Sequence, residues 1–107
     1  MTDFNDRQKG EDRKFAMDAE TAFRVAARRN RLLGRWAAEK MGLTPEETEA
    51  YAKAVIQADF EEAGDEDVIR KVLGDLTGAG CEVDEAEVRA ALDDKAVEAR
   101  RQLMSES

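Results

Sequence analysis

Four stretches of this sequence repeat apolar residues at the spacing of an α-helix, and short polar or glycine-containing segments separate them. The spacing predicts helices at about 18–41, from Pro45 to about Glu61, from Asp65 to about Thr77, and from Asp84 into the polar C-terminus. Residues that favour strands are sparse, while Ala, Glu, Arg, Lys and Leu dominate. Four amphipathic helices with short connections predict an all-α protein, a four-helix bundle.

The clearest boundary signal stands at the start of the second helix. Thr44 is placed at the N-cap, Pro45 at the first helical position and Glu47 at the third, which together form a capping box. Asp65 and Asp84 are expected to cap the third and fourth helices in the same way.

The apolar residues of each helix predict which face is buried. In the first helix they are Ala22, Phe23, Val25, Ala26, Leu32, Leu33, Trp36, Ala37 and Met41. In the other three they are Tyr51, Ala54, Val55 and Ala58, then Val68, Ile69, Val72, Leu73 and Leu76, then Val88, Leu92, Ala96, Ala99 and Leu103. Arg29 falls within the first apolar arc, so its side chain is expected to snorkel or to pair with a carboxylate of another helix. Trp36 is expected to pack in the core rather than to anchor a partner.

The first seventeen residues differ from the rest because they are heavily charged and carry few apolar side chains. Such a segment buries too little area to order alone, so we expect it to be disordered when free and to fold on a partner. In a helix, Phe4 and Phe15 would lie nearly on one side, because eleven residues make about three turns. The sequence therefore predicts a mobile N-terminal arm at 1–17 and a four-helix globular domain at 18–107.

Charge and hydropathy restrict the partners. The net charge is −8 and the isoelectric point is near 4.6, which disfavours nucleic acid and anionic membrane surfaces. The polar N-terminal residues lack the apolar core of a signal peptide. No apolar run approaches the roughly 20 residues of a membrane span. We therefore expect a cytoplasmic protein.

The sequence gives little support for a catalytic site or a metal site. The chain has no histidine, and Cys81, its one cysteine, lies in a glycine-rich turn without a basic activator nearby in sequence. The acidic stretch after the second helix begins like a calcium loop at Asp59 and Glu61, but Ala63 and Arg70 break the pattern. The prediction is a protein that is not an enzyme, with no catalytic residues, no metal ligands and no cofactor.

A row of arginines follows the polar face of the first helix: Arg24, Arg28, Arg31 and Arg35. Guanidinium groups at this spacing could bind phosphates, and so ATP or ADP weakly, or an acidic protein surface. The alternative interpretation is a solvated face whose arginines pair with the chain's own surplus carboxylates.

Two blocks of sequence carry a resemblance to a known family. They are ARRNRLLGRWAAEKMG (27–42) and AYAKAVIQADFEEAGDEDVIRKVLGDLTGAG (50–80). Together they resemble the zeta subunit, the ATPase inhibitor of α-proteobacterial F-type ATP synthases. The resemblance implies a four-helix domain whose N-terminal arm becomes helical in a catalytic α/β interface of the synthase head and stops rotation in the hydrolytic direction. It implies as partners the α, β and γ subunits of that head, and hence a peripheral place at the inner membrane.

Within the arm, the resemblance implies a set of contact residues: Asp3, Phe4, Asp6, Arg7, Lys14 and Phe15. The chain departs from the family pattern at Gly10 and Glu11, where the family carries Ala-Phe. Glycine costs about 1 kcal/mol relative to alanine in a helix, and a lost aromatic anchor about 2 kcal/mol or more. Inhibition is therefore expected to be weak or lost, and a nucleotide-sensing module that docks on the synthase without strong inhibition stands as the alternative.

Overall fold

The computed structural model describes residues 19–59 and 65–106. Four helices make up this part of the chain: α1 Ala19–Met41, α2 Pro45–Ala58, α3 Glu66–Gly78 and α4 Glu85–Glu106. The described residues contain no strand, so the all-α, four-helix prediction is confirmed. The arm at 1–17 lies outside the described residues, and the division of the chain into arm and globular domain stays a prediction.

Side chains cap two helices as the sequence predicts. Thr44 Oγ1 accepts a hydrogen bond from the Glu47 amide at 3.1 Å, and Glu47 Oε1 accepts one from the Thr44 amide at 2.9 Å. At α4, Asp84 Oδ1 accepts a hydrogen bond from the Glu87 amide at 2.9 Å. These carboxylate and hydroxyl oxygens satisfy amides that have no partner inside a helix.

Glycine ends α1. Gly42 has a φ of 73°, a left-handed conformation that glycine adopts without strain. Its turn lets the amide of Leu43 donate to the carbonyl of Ala38 at 3.0 Å, which satisfies one of the last carbonyls of the helix.

The end of α2 differs from the prediction. The helix stops at Ala58 rather than near Glu61, and Asp59 takes the C-cap position. The Asp59 amide donates to the Ile56 carbonyl at 3.3 Å, so the last turn is tightened. The Asp59 carboxylate lies 3.6 Å from Arg29 on α1, and this ion pair holds the helix end beside α1.

The core lies where all four helices contribute apolar side chains. Its buried residues are Leu33, Ala37, Val55, Val68, Ile69, Val72, Leu76, Val88 and Leu92. Every predicted apolar residue of α3 except Leu73 is buried, and Trp36 packs against the cluster from α1 as expected. Burial of this set supplies the main stabilisation of the fold.

The first turns of α1 contradict the predicted stripe. Phe23 is 54% exposed and Ala22 is also exposed, whereas burial on α1 begins at Val25. Helical spacing shows which side of α1 is apolar. It cannot show at which residue of α1 the other helices begin to cover that side. Phe23 therefore lies at the surface rather than in the core.

Helix α1 is the centre of the packing. It approaches each of the other helices, and most closely α2 and α4. Within the described residues, α2 and α4 make no close backbone approach to each other. The outer face of α1 therefore stays open between them.

Candidate functional site

Two pockets lie on the open side of α1, one beside its first half and one beside its second half, and we call this surface the α1 groove. The first, the Phe23 pocket, has a volume of about 360 Å³ and lies between Ile56 of α2 and Leu103 of α4. The second, the Trp36 pocket, has a volume of about 550 Å³ and lies between Pro45 of α2 and Lys95 of α4. Both are open surface depressions, suited to side chains of a partner rather than to an enclosed ligand.

The Phe23 pocket has an apolar floor and a basic rim. Phe23, Ala27, Ile56 and Leu103 supply the apolar surface. The rim consists of Arg24, Arg28 and Arg31, together with the carboxylate of Glu106. An apolar floor beside guanidinium groups favours a partner with an aromatic or aliphatic body and nearby negative charge.

Arg28 joins α1 to the end of α4. One of its Nη atoms donates to Gln102 Oε1 and to Glu106 Oε2, each at 2.9 Å. The hydrogen bond from Arg28, and then its positive charge, hold the pKa of the Glu106 carboxyl below its usual range. The pair places the Glu106 carboxylate beside the guanidinium groups at this pocket.

The other two arginines of this rim are less constrained. Arg24 pairs with Glu20 at 2.7 Å, but both side chains are well exposed, so the pair contributes little. Arg31 is exposed and has no side-chain hydrogen bond or ion pair within 19–59 and 65–106. Arg31 is thus the rim cation most available to an incoming carboxylate or phosphate.

The Trp36 pocket contains the fourth arginine of the row. Arg35 pairs with Glu49 of α2 at 3.0 Å, and Lys40 lies 5.1 Å from the centre of the Trp36 ring, within the range of a cation–π contact. The structure therefore places Arg24, Arg28 and Arg31 at one pocket and Arg35 at the next. Three of the four have partners among the chain's own carboxylates, as the alternative interpretation of the row expected.

Arg29 points the other way, into the bundle. Its side chain is only 12% exposed, and it pairs with Asp65 at 3.1 Å and Asp59 at 3.6 Å. The prediction that Arg29 pairs with a carboxylate beyond its own helix is confirmed. Asp65 does not cap α3 as predicted, because its side chain makes no cap hydrogen bond and binds Arg29 instead.

Asn30 is buried next to this ion pair, at the inner end of the Phe23 pocket. Its Oδ1 accepts a hydrogen bond from Arg29 Nε at 3.0 Å, while its Nδ2 has no partner among the described residues. A cavity of about 20 Å³ separates it from Phe23, Ile56 and Asp59. That volume is enough for about one water molecule.

Sequence reasoning missed three residues of the groove. The residue pattern omits Ile56 from the apolar stripe of α2, assigns Leu103 to the core and gives no role to Asn30. The available signal was the i, i+4 series of α1 formed by residues 23, 27, 31 and 35, which mixes apolar and basic side chains on one face. Which residues of other helices flank that face depends on the packing.

Cys81 is half-buried in the turn after α3, where its thiol donates to the carbonyl of Lys40 at 3.4 Å. Across 19–59 and 65–106, no group of three or more cysteine, histidine or acidic side chains is placed to hold a metal ion. None of the four described helices is long and apolar enough to cross a membrane.

The chain belongs to the ATPase inhibitor subunit zeta family, whose family model matches residues 1–102. It is also similar to a chain of known solution NMR structure, with 53% sequence identity and a TM-score of 0.71. That similarity covers 79% of this chain and 96% of the other. Among curated proteins none matches this chain significantly.

Proposed function

We propose that this protein inhibits ATP hydrolysis by the F-type ATP synthase by inserting its arm, residues 1–17, into a catalytic α/β interface of the synthase head. The observation that carries the proposal is the family match, because it begins at residue 1 and so includes the arm. The partners are the α, β and γ subunits of the head. Through them the protein would be held at the inner membrane.

The inhibition is steric and needs no chemistry from the inhibitor. Phe4 and Phe15 act as apolar anchors, because large aromatic side chains dominate binding energy at interfaces. Arg7 and Lys14 pair with carboxylates of the head, and Asp3 and Asp6 with its cations. The arm orders as it binds, so part of the interaction energy is spent on that ordering.

The first test measures ATP hydrolysis by the cognate head with the full-length protein and with a variant that lacks residues 1–17. The full-length protein should inhibit and the truncated protein should not. Phe15→Ala should weaken inhibition by tenfold or more, since truncating an anchor costs about 2 kcal/mol. Met104→Ala is the matched control, because Met104 is a large apolar residue of the folded domain that is 72% exposed. Equal inhibition by the truncated protein would contradict the proposal.

A second candidate function is weak binding of ATP or ADP at the Phe23 pocket. The observation that favours it is an apolar floor, suited to a base, beside three guanidinium groups, suited to phosphates. A nucleotide titration followed by amide NMR should shift residues of this pocket and no others. Arg31→Gln should weaken those shifts, and Arg101→Gln, on α4 and outside the pocket, should not. The absence of any shift would exclude this candidate.

A further inference from the structure

We propose that the folded domain binds one long-lived internal water molecule between Asn30 of α1 and Asp59 at the end of α2. The site is the cavity of about 20 Å³ at the inner end of the Phe23 pocket, lined by Phe23, Ala26, Ala27, Asn30, Ile56 and Asp59. This goes beyond the proposed inhibition, since it assigns a binding site inside the bundle and involves no contact with the synthase head.

The hydrogen-bond donor of this site is the side-chain amide of Asn30. Only 1% of Asn30 is exposed, and its orientation is fixed, because Oδ1 accepts a hydrogen bond from Arg29 Nε at 3.0 Å. Nδ2 has no acceptor in the part of the chain that the structure describes. Burying an amide N–H without an acceptor is costly, so an acceptor is expected next to Nδ2.

The hydrogen-bond acceptor is the carboxylate of Asp59, on another wall of the same cavity. Its side chain is 19% exposed, and its Oδ2 lies 3.6 Å from Arg29 Nη2, which is longer than a direct hydrogen bond. The carboxylate therefore keeps lone pairs for a further donor. A polar contact longer than 3.5 Å is the setting in which a bridging water is expected.

The chemistry and the size of the cavity select water as the ligand. The ligand has to accept a hydrogen bond from an amide and donate one to a carboxylate. Amide protons disfavour a metal ion at this position, and the carboxylate disfavours an anion. A water molecule needs a cavity of about 10–15 Å³ or more and two to four polar partners. The cavity of about 20 Å³ meets the first condition, and Asn30 and Asp59 meet the second.

The water completes a polar network that joins three helices. Arg29 of α1 pairs with Asp65 at the start of α3 at 3.1 Å, and Asn30 holds the Nε of the same guanidinium group. Through the water, Asn30 is also linked to Asp59 at the end of α2. Two consecutive residues of α1 therefore hold the end of α2 and the start of α3, and the water supplies the hydrogen bonds that these side chains do not make directly.

The test is NMR of water–protein nuclear Overhauser effects on the full chain, without the synthase. A long-lived water gives effects of opposite sign in the laboratory and rotating frames, whereas mobile surface water gives the same sign in both. Opposite signs are expected at the Asn30 side-chain amide and at the methyl groups of Ala26 and Ala27. No hydroxyl group lines the cavity, so hydroxyl exchange cannot imitate this signal. The methyl group of Ala52, which is 1% exposed and lies outside the cavity, is the control. Signals of the same sign, or no signal, at Asn30, Ala26 and Ala27 would overturn the proposal.

A substitution that fills the cavity tests the same site independently. Ala26→Val adds two methyl groups to the cavity wall and should displace the water, so the effect at the Asn30 amide should vanish. Oxygen-17 relaxation of the solvent should report about one long-lived water fewer per chain. With Nδ2 left without an acceptor, the ratio of folded to unfolded protein should fall about five- to a hundredfold.

Ala22→Val is the matched control for the filled cavity. Ala22 lies on the same helix and is exposed, so the substitution changes helix propensity in the same way without reaching the cavity. It should leave the water signal at Asn30 in place and lower the folded-to-unfolded ratio by no more than about threefold. Persistence of the signal at Asn30 in Ala26→Val would show that the water does not occupy this cavity, and the proposal would be wrong.

Discussion

Gly34 on α1 lies directly against the backbone of Ala52 on α2. A Cβ at position 34 would stand 2.8 Å from Ala52 Cα and 3.3 Å from Val55 Cγ2. Gly34→Ala should therefore push the two helices apart, with a cost of about 1–3 kcal/mol in free energy of unfolding. That cost exceeds the gain of about 1 kcal/mol that alanine brings to a helix. Urea unfolding followed by circular dichroism measures the change.

Gly74 provides the matched control for this substitution. It lies inside α3, and a Cβ there would meet nothing within 4 Å. Gly74→Ala should therefore raise the free energy of unfolding by about 0.5–1 kcal/mol through helix propensity alone. Destabilisation by both substitutions to a similar extent would show that close helix packing is not what position 34 requires.

The ion pairs of Arg29 predict a second stability difference. Arg29→Met keeps much of the apolar stem but leaves the carboxylates of Asp59 and Asp65 without their cation. Since Arg29 and Asp59 are mostly buried, at 12% and 19% exposure, we expect a loss of about 1–3 kcal/mol in free energy of unfolding.

Arg24→Met is the control for that loss. Arg24 and its partner Glu20 are 64% and 73% exposed, so removing the pair should cost less than about 0.5 kcal/mol. Denaturant titrations of the two variants at equal salt concentration make the comparison. Similar costs at positions 24 and 29 would mean that burial does not set the value of these pairs.

The environment of Tyr51 predicts that the protein unfolds at alkaline pH. Its hydroxyl donates to Asp75 Oδ2 at 2.8 Å, and Lys71 donates to the same carboxylate at 3.1 Å. Burial, then the hydrogen bond to Asp75 and its negative charge, raise the pKa of Tyr51 well above its usual range. Because the pKa is higher in the folded state, the stabilisation is complete below about pH 10, the unfolded value, and is lost as the pH rises above it.

The expected result is that tyrosinate absorbance appears together with loss of the helical circular dichroism signal. The chain has one tyrosine, so the absorbance reports Tyr51 alone. Asp75→Asn removes the charge and should lower the pKa of Tyr51 towards its ordinary value. Formation of tyrosinate near pH 10 with the helices of the unsubstituted protein intact would refute this account.

Local signals in the sequence predict the four helices, although not the end of α2. The capping box at Thr44 acts over three residues, and the apolar spacing of α3 identifies its buried face, because both depend only on neighbours along the helix. The same reasoning failed for Asp65, whose carboxylate binds Arg29 rather than the backbone of α3. A capping residue cannot be distinguished from an ion-pair partner until the arrangement of the helices is known.

The groove was predictable only in part. The arginine row indicated a basic face on α1, but its division between two pockets follows from where Ile56 and Leu103 lie in space. The apolar periodicity of α1 does not point to Gly34, because glycine is required there by the close approach of the α2 backbone. Contacts between helices therefore set the limit of what the residue pattern could show.

A substitution at Gly10 tests the arm, within the proposed inhibition. Gly10 weakens a helical arm, and alanine at that position should favour the helix by about 1 kcal/mol. If the arm binds the head as a helix, Gly10→Ala should strengthen inhibition of ATP hydrolysis about fivefold. The measurement is the inhibitor concentration at half-maximal ATP hydrolysis by the cognate head.

Gly74→Ala again serves as the control, since it makes the same change in a helix of the folded domain. It should leave the half-inhibitory concentration unchanged, because only a higher helix propensity within the arm is expected to tighten binding to the head. Adding Glu11→Phe to Gly10→Ala should strengthen inhibition by a further tenfold or more, because it restores an aromatic anchor. An unchanged half-inhibitory concentration for both arm variants would show that the arm does not bind the head as a helix through this segment.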